Sequence, residues 1–275
     1  MRTLLVPIDL SLNSQAALKF ALAIAAKHKV EISALHAYQV DAHNHFLSLD
    51  SIRQLEQKAT GEADKKVQAF LQSVLSESKV NHTIDPVLRL GFATEEIIAV
   101  CEQVQVDLVV MGTRGITDAT SKYFGTNTRT VMENISSPVL AVNSEAVFRG
   151  FTKILYVTNL ERTSVLALGR LLELATSFGA SIHVLHINHN GTEHVSKYEQ
   201  KIPGFFTRAV KYDQLTLTVA KSDDVLDEVY RCMVDQKPDV LAVNADERAI
   251  YSKVIAASDD HEAVLKITTP ILAIS

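Results

Sequence analysis

The sequence predicts an α/β protein built from two tandem, doubly wound parallel-sheet domains. Three observations carry that expectation. Short apolar strands alternate with helical stretches along the whole chain, the pattern of strand–helix–strand units. The strands are continuously apolar, as strands covered on both faces of a parallel sheet must be. The series also begins again halfway: Lys153-Ile154-Leu155-Tyr156-Val157-Thr158-Asn159-Leu160 repeats the opening strand, Thr3 to Ile8, at an offset of 150.

Length and composition set the outer bounds. A chain of 275 residues suits two medium domains, and 47% apolar with 21% charged residues is ordinary for a globular protein. A net charge of -5 without a Lys/Arg cluster argues against nucleic acid as partner. No segment reaches the ~18 continuous apolar residues of a membrane span. Met1-Arg2-Thr3 runs straight into a strand without a signal-peptide pattern, so a cytoplasmic location is expected. Cys101 and Cys232 lie in helix-like runs and read as buried thiols.

In chain order, Thr3 to Ile8 is the first strand. Ser11 or Asn13 caps a helix reaching about Lys29, with Ala17, Phe20, Ala21, Ile24 and Ala25 facing inward. Val30 to His36 is the second strand. A polar stretch through Asp41-Ala42-His43-Asn44-His45 leads to a long helix, about Ser51 to Glu77. Val80 to Leu90 contains the third strand, and Thr94 caps a helix to about Val104. Asp107 to Met111 is the fourth strand. A loop with Gly112, Gly115 and Gly125 follows, a helix starts near Thr126, and Pro138 to Val142 closes the domain. Ligands of such sheets bind beyond the carboxyl ends of the strands, where Asp9 and Gly112 both fall.

The stretch from Asp107 to Val142 carries the chemistry. Glycine lets a backbone approach a ligand with no Cβ between them. A helix start leaves amides unpaired at a positive dipole end, so loop amides and helix together form an anion site, most often for phosphate. Thr126, Asn127 and Thr128 add hydroxyl and amide donors there. A plain connection with turn glycines is the alternative.

The spacing Gly112-x2-Gly115-x9-Gly125-Thr126 resembles the nucleotide-binding signature of the universal stress protein family. Leu4-Leu5-Val6-Pro7-Ile8-Asp9 and Ser137-Pro138-Val139-Leu140-Ala141-Val142 resemble its first and last strands, so the likeness spans residues 1–143. It implies a Rossmann-like, adenine nucleotide alpha hydrolase-like fold and an adenine nucleotide as ligand: ATP, or ADP or AMP, with or without Mg²⁺. Gly112, Gly115 and Gly125 then cradle the phosphates. Thr113 and Arg114 lie in the same loop, and Arg114 either pairs with a phosphate or is solvated. By resemblance Asp9 lies at the ribose or base, with capping of the next helix as its other role, and the backbone of Ala37 meets the adenine.

The domains read as 1–145 and 151–275, the second shortened and degenerate. Pro238 to Val243 repeats the fourth strand and Thr269 to Ile274 the last, with Asp107 carried to Asp239 at an offset of 132. The fall from 150 to 132 places an 18-residue deletion between the second and fourth strands, read as a lost or shortened helix around Lys197 to Arg208. At the same offset Gly112, Gly115 and Gly125 become Asn244, Glu247 and Ala257. Thr126, Asn127 and Thr128 become Ser258, Asp259 and Asp260, and Asp9 becomes Asn159. Glycines needed only for a turn should persist in the copy, so their loss argues for a ligand in the first half. Asp259 and Asp260 would repel a polyphosphate.

His183, His186, His189 and His194 invite a metal reading, but His183 and His186 are three apart on a strand and point to opposite faces, so no metal is expected. No catalytic pair emerges from spacing, and the chain lacks Walker A, HExxH and GxSxG sequences. The expectation is an ATP-binding regulatory protein of the stress response, with slow hydrolysis at most. An ATPase or nucleotidyl-transfer enzyme on the same scaffold and a nucleotide-free interaction module are the alternatives. The resemblance further implies that Val139–Val142 and Ile271–Ile274 pair within one chain as a pseudo-dimer, with homodimerisation open.

Overall fold

The computed structural model describes residues 1–40, 48–113, 125–146, 148, 150–160, 162–188, 212–255 and 269–275. The chain divides into two compact units, Met1–Glu145 and Ala146–Ser275.

The first unit runs β1 (Thr3–Pro7), α1 (Leu12–Ala25), β2 (Glu31–Tyr38), α2 (Leu49–Ser78), β3 (Ile84–Leu90), α3 (Ala93–Gln103), β4 (Leu108–Gly112), α4 (Thr126–Asn134) and β5 (Val139–Val142). Its strands stand in the order β3-β2-β1-β4-β5, and every pair is parallel. The chain moves outward from β1 through β2 to β3 and then returns to β4 on the other side of β1. The boundary between β1 and β4 is therefore the switch point at which such sheets bind ligands.

Local chemistry explains the elements. Ser11 is the N-cap of α1, its hydroxyl accepting from Ser14 N at 3.2 Å. Leu18 and Leu22 are buried along with Ala17, Phe20, Ala21 and Ile24, so this helix is covered more widely than its periodicity suggested, while Ala25, expected on the inward stripe, is only partly buried and ends the helix short of Lys29. Helix α2 is different. Over 30 residues only Ala63, Val67, Leu71 and Val74 are buried, a single stripe on an otherwise solvated rod. Helix α3 departs from expectation: its N-cap is Phe92, without a side-chain cap, and Thr94 lies inside the first turn. Glu95 and Glu96 complement the dipole there instead, which leaves the Thr94 hydroxyl to donate to Asn127 Oδ1 at 3.0 Å.

The second unit runs β6 (Lys153–Thr158), α5 (Arg162–Phe178), β7 (Ser181–Asn188), β8 (Leu215–Lys221), α6 (Val225–Gln236), β9 (Val240–Asn244), α7 (Arg248–Ile255) and β10 (Ile271–Ile274). Its order, β8-β7-β6-β9-β10, is that of the first unit, again all parallel. The connection from β7 to β8 is shorter than that from β2 to β3, where α2 lies. The residues expected to replace that helix, 197–208, lie outside the described ones.

The repeat extends to individual bonds. Asp107 Oδ2 accepts from Arg2 N at 2.5 Å and Thr3 N at 2.9 Å. Asp239 Oδ2 accepts from Thr152 N at 2.8 Å and Lys153 N at 3.1 Å. His36 Nδ1 donates to Ile8 O at 2.8 Å, and His186 Nδ1 to Thr158 O at 3.1 Å. Leu10 and Leu160, each just after its first strand, adopt left-handed φ of 64° and 58°. A leucine held there is strained, and the same strain at the same turn of both units marks that turn as a fixed part of the scaffold.

Burial works to raise the Asp107 carboxyl pKa, but the amides of Arg2 and Thr3, then the charges of the Met1 amino group and Arg2, outweigh it and hold it below the usual value. A depressed folded pKa stabilises above the unfolded value of about 4 and is lost as pH falls through the folded one. Asp107→Asn is therefore expected to flatten the acid limb of the stability curve below about pH 4, measured by urea unfolding. Cys101 is pushed up to about 11 by burial, and Cys232 is raised by burial and then by Glu228 and Asp235. Both thiols are expected to react with iodoacetamide at neutral pH far more slowly in the native protein than in urea.

Among the described residues, no helix is long and apolar enough to cross a membrane. His183 Nδ1 bonds Thr216 Oγ1 at 2.8 Å on a partly exposed face, while His186 is buried on the other side of β7. His189 and His194 lie outside the described residues.

Candidate functional site

A cleft of about 290 Å³ opens at the switch point of the first unit. The end of β1 brings Pro7, Ile8 and Asp9, the end of β2 brings His36 and Ala37, and the end of β4 brings Gly112. The start of α4 closes the cleft with Gly125, Thr126, Asn127 and Thr128. Of the residues singled out in the sequence, Asp9, Ala37, Gly112, Gly125, Thr126, Asn127 and Thr128 thus share one cavity. Thr113 directly follows β4 and is not among the lining residues. Arg114 and Gly115 lie outside the described residues.

The hydrogen bonds separate structural from available groups. Asp9 Oδ1 accepts from Ser11 N at 3.1 Å, closing the turn that follows β1, and the cap of α1 falls to Ser11 rather than to Asp9. His36 donates through Nδ1 to Ile8 O, so in the neutral ring Nε2 is the acceptor. Thr113 N donates to Val142 O at 2.9 Å, and Gly125 N to Thr113 O at 2.6 Å. Both amides are thus engaged within the protein. The Thr128 hydroxyl, buried, donates to Gly112 O at 2.8 Å and ties the start of α4 to the end of β4. It has no second proton for a phosphate. Its place in the cleft is as a clasp, whereas a donor was expected.

Gly112 also has a packing role that the sequence did not reveal. A Cβ there would lie 2.8 Å from the carbonyl carbon and 2.9 Å from the Cβ of Asn13. Its bareness is required by the first turn of α1. At Gly125 the position is different: it is the N-cap of α4 with extended φ, and α4 starts without a side-chain cap. The first turn of α4 therefore presents its dipole end to the cleft.

The matching place in the second unit is filled. Glu247, which matches Gly115 at the sequence offset of 132, is 2% exposed. Its Oε1 accepts from Thr158 Oγ1 at 2.7 Å, from Asn244 Nδ2 at 3.3 Å and from the Ser164 hydroxyl. Its Oε2 accepts from Asn159 N at 2.5 Å. Burial, and after it the Glu247 charge, raise the pKa of neighbouring Tyr156. Ala257, Ser258, Asp259 and Asp260 lie outside the described residues, so the acid seen in this place is Glu247. A sequence signal for it existed: Ser14 recurs as Ser164, while Ile8 and Asp9 become Thr158 and Asn159, turning an apolar and an acidic position into neutral hydrogen-bonding ones.

Comparison with known proteins identifies the family and supports the fold. The model of the universal stress protein family matches residues 1–143. A universal stress protein of Methanocaldococcus jannaschii is 24% identical over 155 residues, covering 51% of this chain and 94% of that protein. Universal stress protein A homolog 1 of Coxiella burnetii is 27% identical over 141 residues, covering 50% and 94%. Among solved structures, a universal stress protein from Archaeoglobus fulgidus superposes with a TM-score of 0.66 at 14% identity, over 99% of this chain and 96% of that one. The repeated switch-point fold, the glycine-bearing loop and the family match together show that this chain belongs to the universal stress protein family.

Proposed function

We propose that the first unit binds an adenine nucleotide, ATP or its di- or monophosphate, and that the chain acts as a nucleotide-dependent regulator in the stress response. The observation that carries this reading is the cleft itself. It lies at the switch point, Asp9, Ala37, Gly112 and Gly125 line it together, and the start of α4 faces it. Asp9 and Ala37 stand at the nucleoside end, and the loop from Gly112 to Gly125 with Thr126 and Asn127 at the phosphate end. Arg114 and Gly115 belong to the same proposed loop. Binding rather than turnover is the proposed role, with Mg²⁺ accompanying the phosphates where it is required.

The pairing expected of the last strands belongs to this proposal. β5 and β10 each end the sheet order of their own unit and are apolar throughout, and an apolar edge strand is protected by another strand. A cytoplasmic location is proposed on the same footing.

The test is native mass spectrometry of the gently isolated protein together with melting curves. A copurifying adenine nucleotide, and a Tm raised by ATP but not by ribose phosphate, support the reading. Ligand-free protein whose Tm is unmoved by any adenine nucleotide overturns it.

A further inference from the structure

We propose that the second unit is a self-liganded copy of the cleft, in which the Glu247 carboxylate occupies an oxyanion site that would otherwise take a small carboxylate from solution. Four donors from three segments converge on this one group. They are the amide of Asn159 after β6, the hydroxyls of Thr158 and Ser164, and the side-chain amide of Asn244 at the end of β9. None of them is charged. Ser164 stands in the first turn of α5, so a helix start contributes its dipole as well. Neutral N–H and O–H donors around a helix start are the usual make-up of an oxyanion site.

The place of this site matters. Asn159 and Ser164 repeat Asp9 and Ser14, which line the first unit's cleft. The segment carrying Glu247 repeats the one that leaves β4. The carboxylate therefore sits in the second unit's own switch-point position and is fully enclosed. Glu247 also receives Tyr251 N on its carbonyl at 2.9 Å, so the backbone that carries it is held by α7 independently of the side chain. Shortening the side chain should leave a lined hole rather than a rearranged turn. Thr158, Ser164 and Asn244 are themselves fully buried, and without Glu247 their donors lose their acceptor.

Chemical rescue tests this. Glu247→Ala is expected to lower the Tm by several degrees. Sodium acetate is expected to restore much of that loss, saturably, where sodium chloride at equal ionic strength does not. The wild-type Tm should show no such difference between the two salts. Glu247→Gln, which fills the space but brings N–H groups toward donors, should be destabilised and unresponsive to acetate. A Glu247→Ala protein as stable as wild type, or one destabilised but indifferent to acetate, overturns the proposal. If Glu247→Ala does not fold, Ser164→Ala and Thr158→Val each remove one donor from the intact carboxylate. Both should lower the Tm, and no drop in either is equally fatal. No nucleotide enters this experiment, so its outcome is independent of the first unit's proposed ligand.

Discussion

Gly115→Glu is expected to raise the Kd for ATP at least tenfold while the fold is retained, a loss of about 1.4 kcal/mol or more. The second unit provides the precedent, since the acid at the matching position turns into the switch-point site and is buried there. The first unit has Ile8 and Gly112 where the second has the Thr158 hydroxyl and the Asn244 amide, so an introduced carboxylate would have fewer donors to hold it, and Asp9 adds a charge of its own. It would therefore be held less firmly. It would still place negative charge beside the path of a polyphosphate in a cleft of low dielectric, where repulsion is weakly screened. Titration calorimetry reads the affinity and circular dichroism the fold. Unchanged ATP affinity in a folded variant would mean that this loop does not meet the phosphates.

Gly112→Ala is expected to destabilise the first unit by about 1–3 kcal/mol, the usual cost of forcing a methyl group into packed surroundings. The clash is with backbone rather than with a yielding side-chain tip: the added Cβ would meet the carbonyl carbon of Asn13 at 2.8 Å. Relief requires moving the start of α1 or the end of β4, and both border the cleft. Shifting β4 would also strain the bond from Thr128 to the Gly112 carbonyl. ATP affinity should therefore fall along with stability. Denaturant unfolding with and without ATP separates the two losses. A variant of native stability would show that α1 yields freely at Asn13.

The fold was legible because the apolar strands and their repetition are strong local signals. Asp107 and Asp239, or His36 and His186, could be paired by offset alone, and the structure gives each pair the same bonds. Element ends were less legible. Phe92 rather than Thr94 caps α3, since the acidic pair Glu95 and Glu96 meets the dipole and frees the threonine for Asn127. Within the site, strand ends and glycine spacing pointed to Asp9, Gly112 and Gly125, and the family resemblance to Ala37, all of which line one cavity, but neither could tell a ligand-facing group from a clasp. Thr128 looked like a donor because it is a hydroxyl at a helix start, and only the distance to Gly112 O shows where its proton goes. Gly112 looked like a bare approach for a ligand, and only the position of Asn13 shows the packing reason. Glu247 was visible as a lost glycine. Its partners are 83 to 89 residues away in the chain, apart from neighbouring Asn244, a separation that no local pattern reports.

The measurement that tests the central claim most directly is the stoichiometry of ATP binding to the intact chain by titration calorimetry, repeated on Gly115→Glu. One site per chain, lost in the variant, is the predicted result. Two equivalent sites, or one site that survives the substitution, would contradict the assignment of nucleotide binding to the first unit alone.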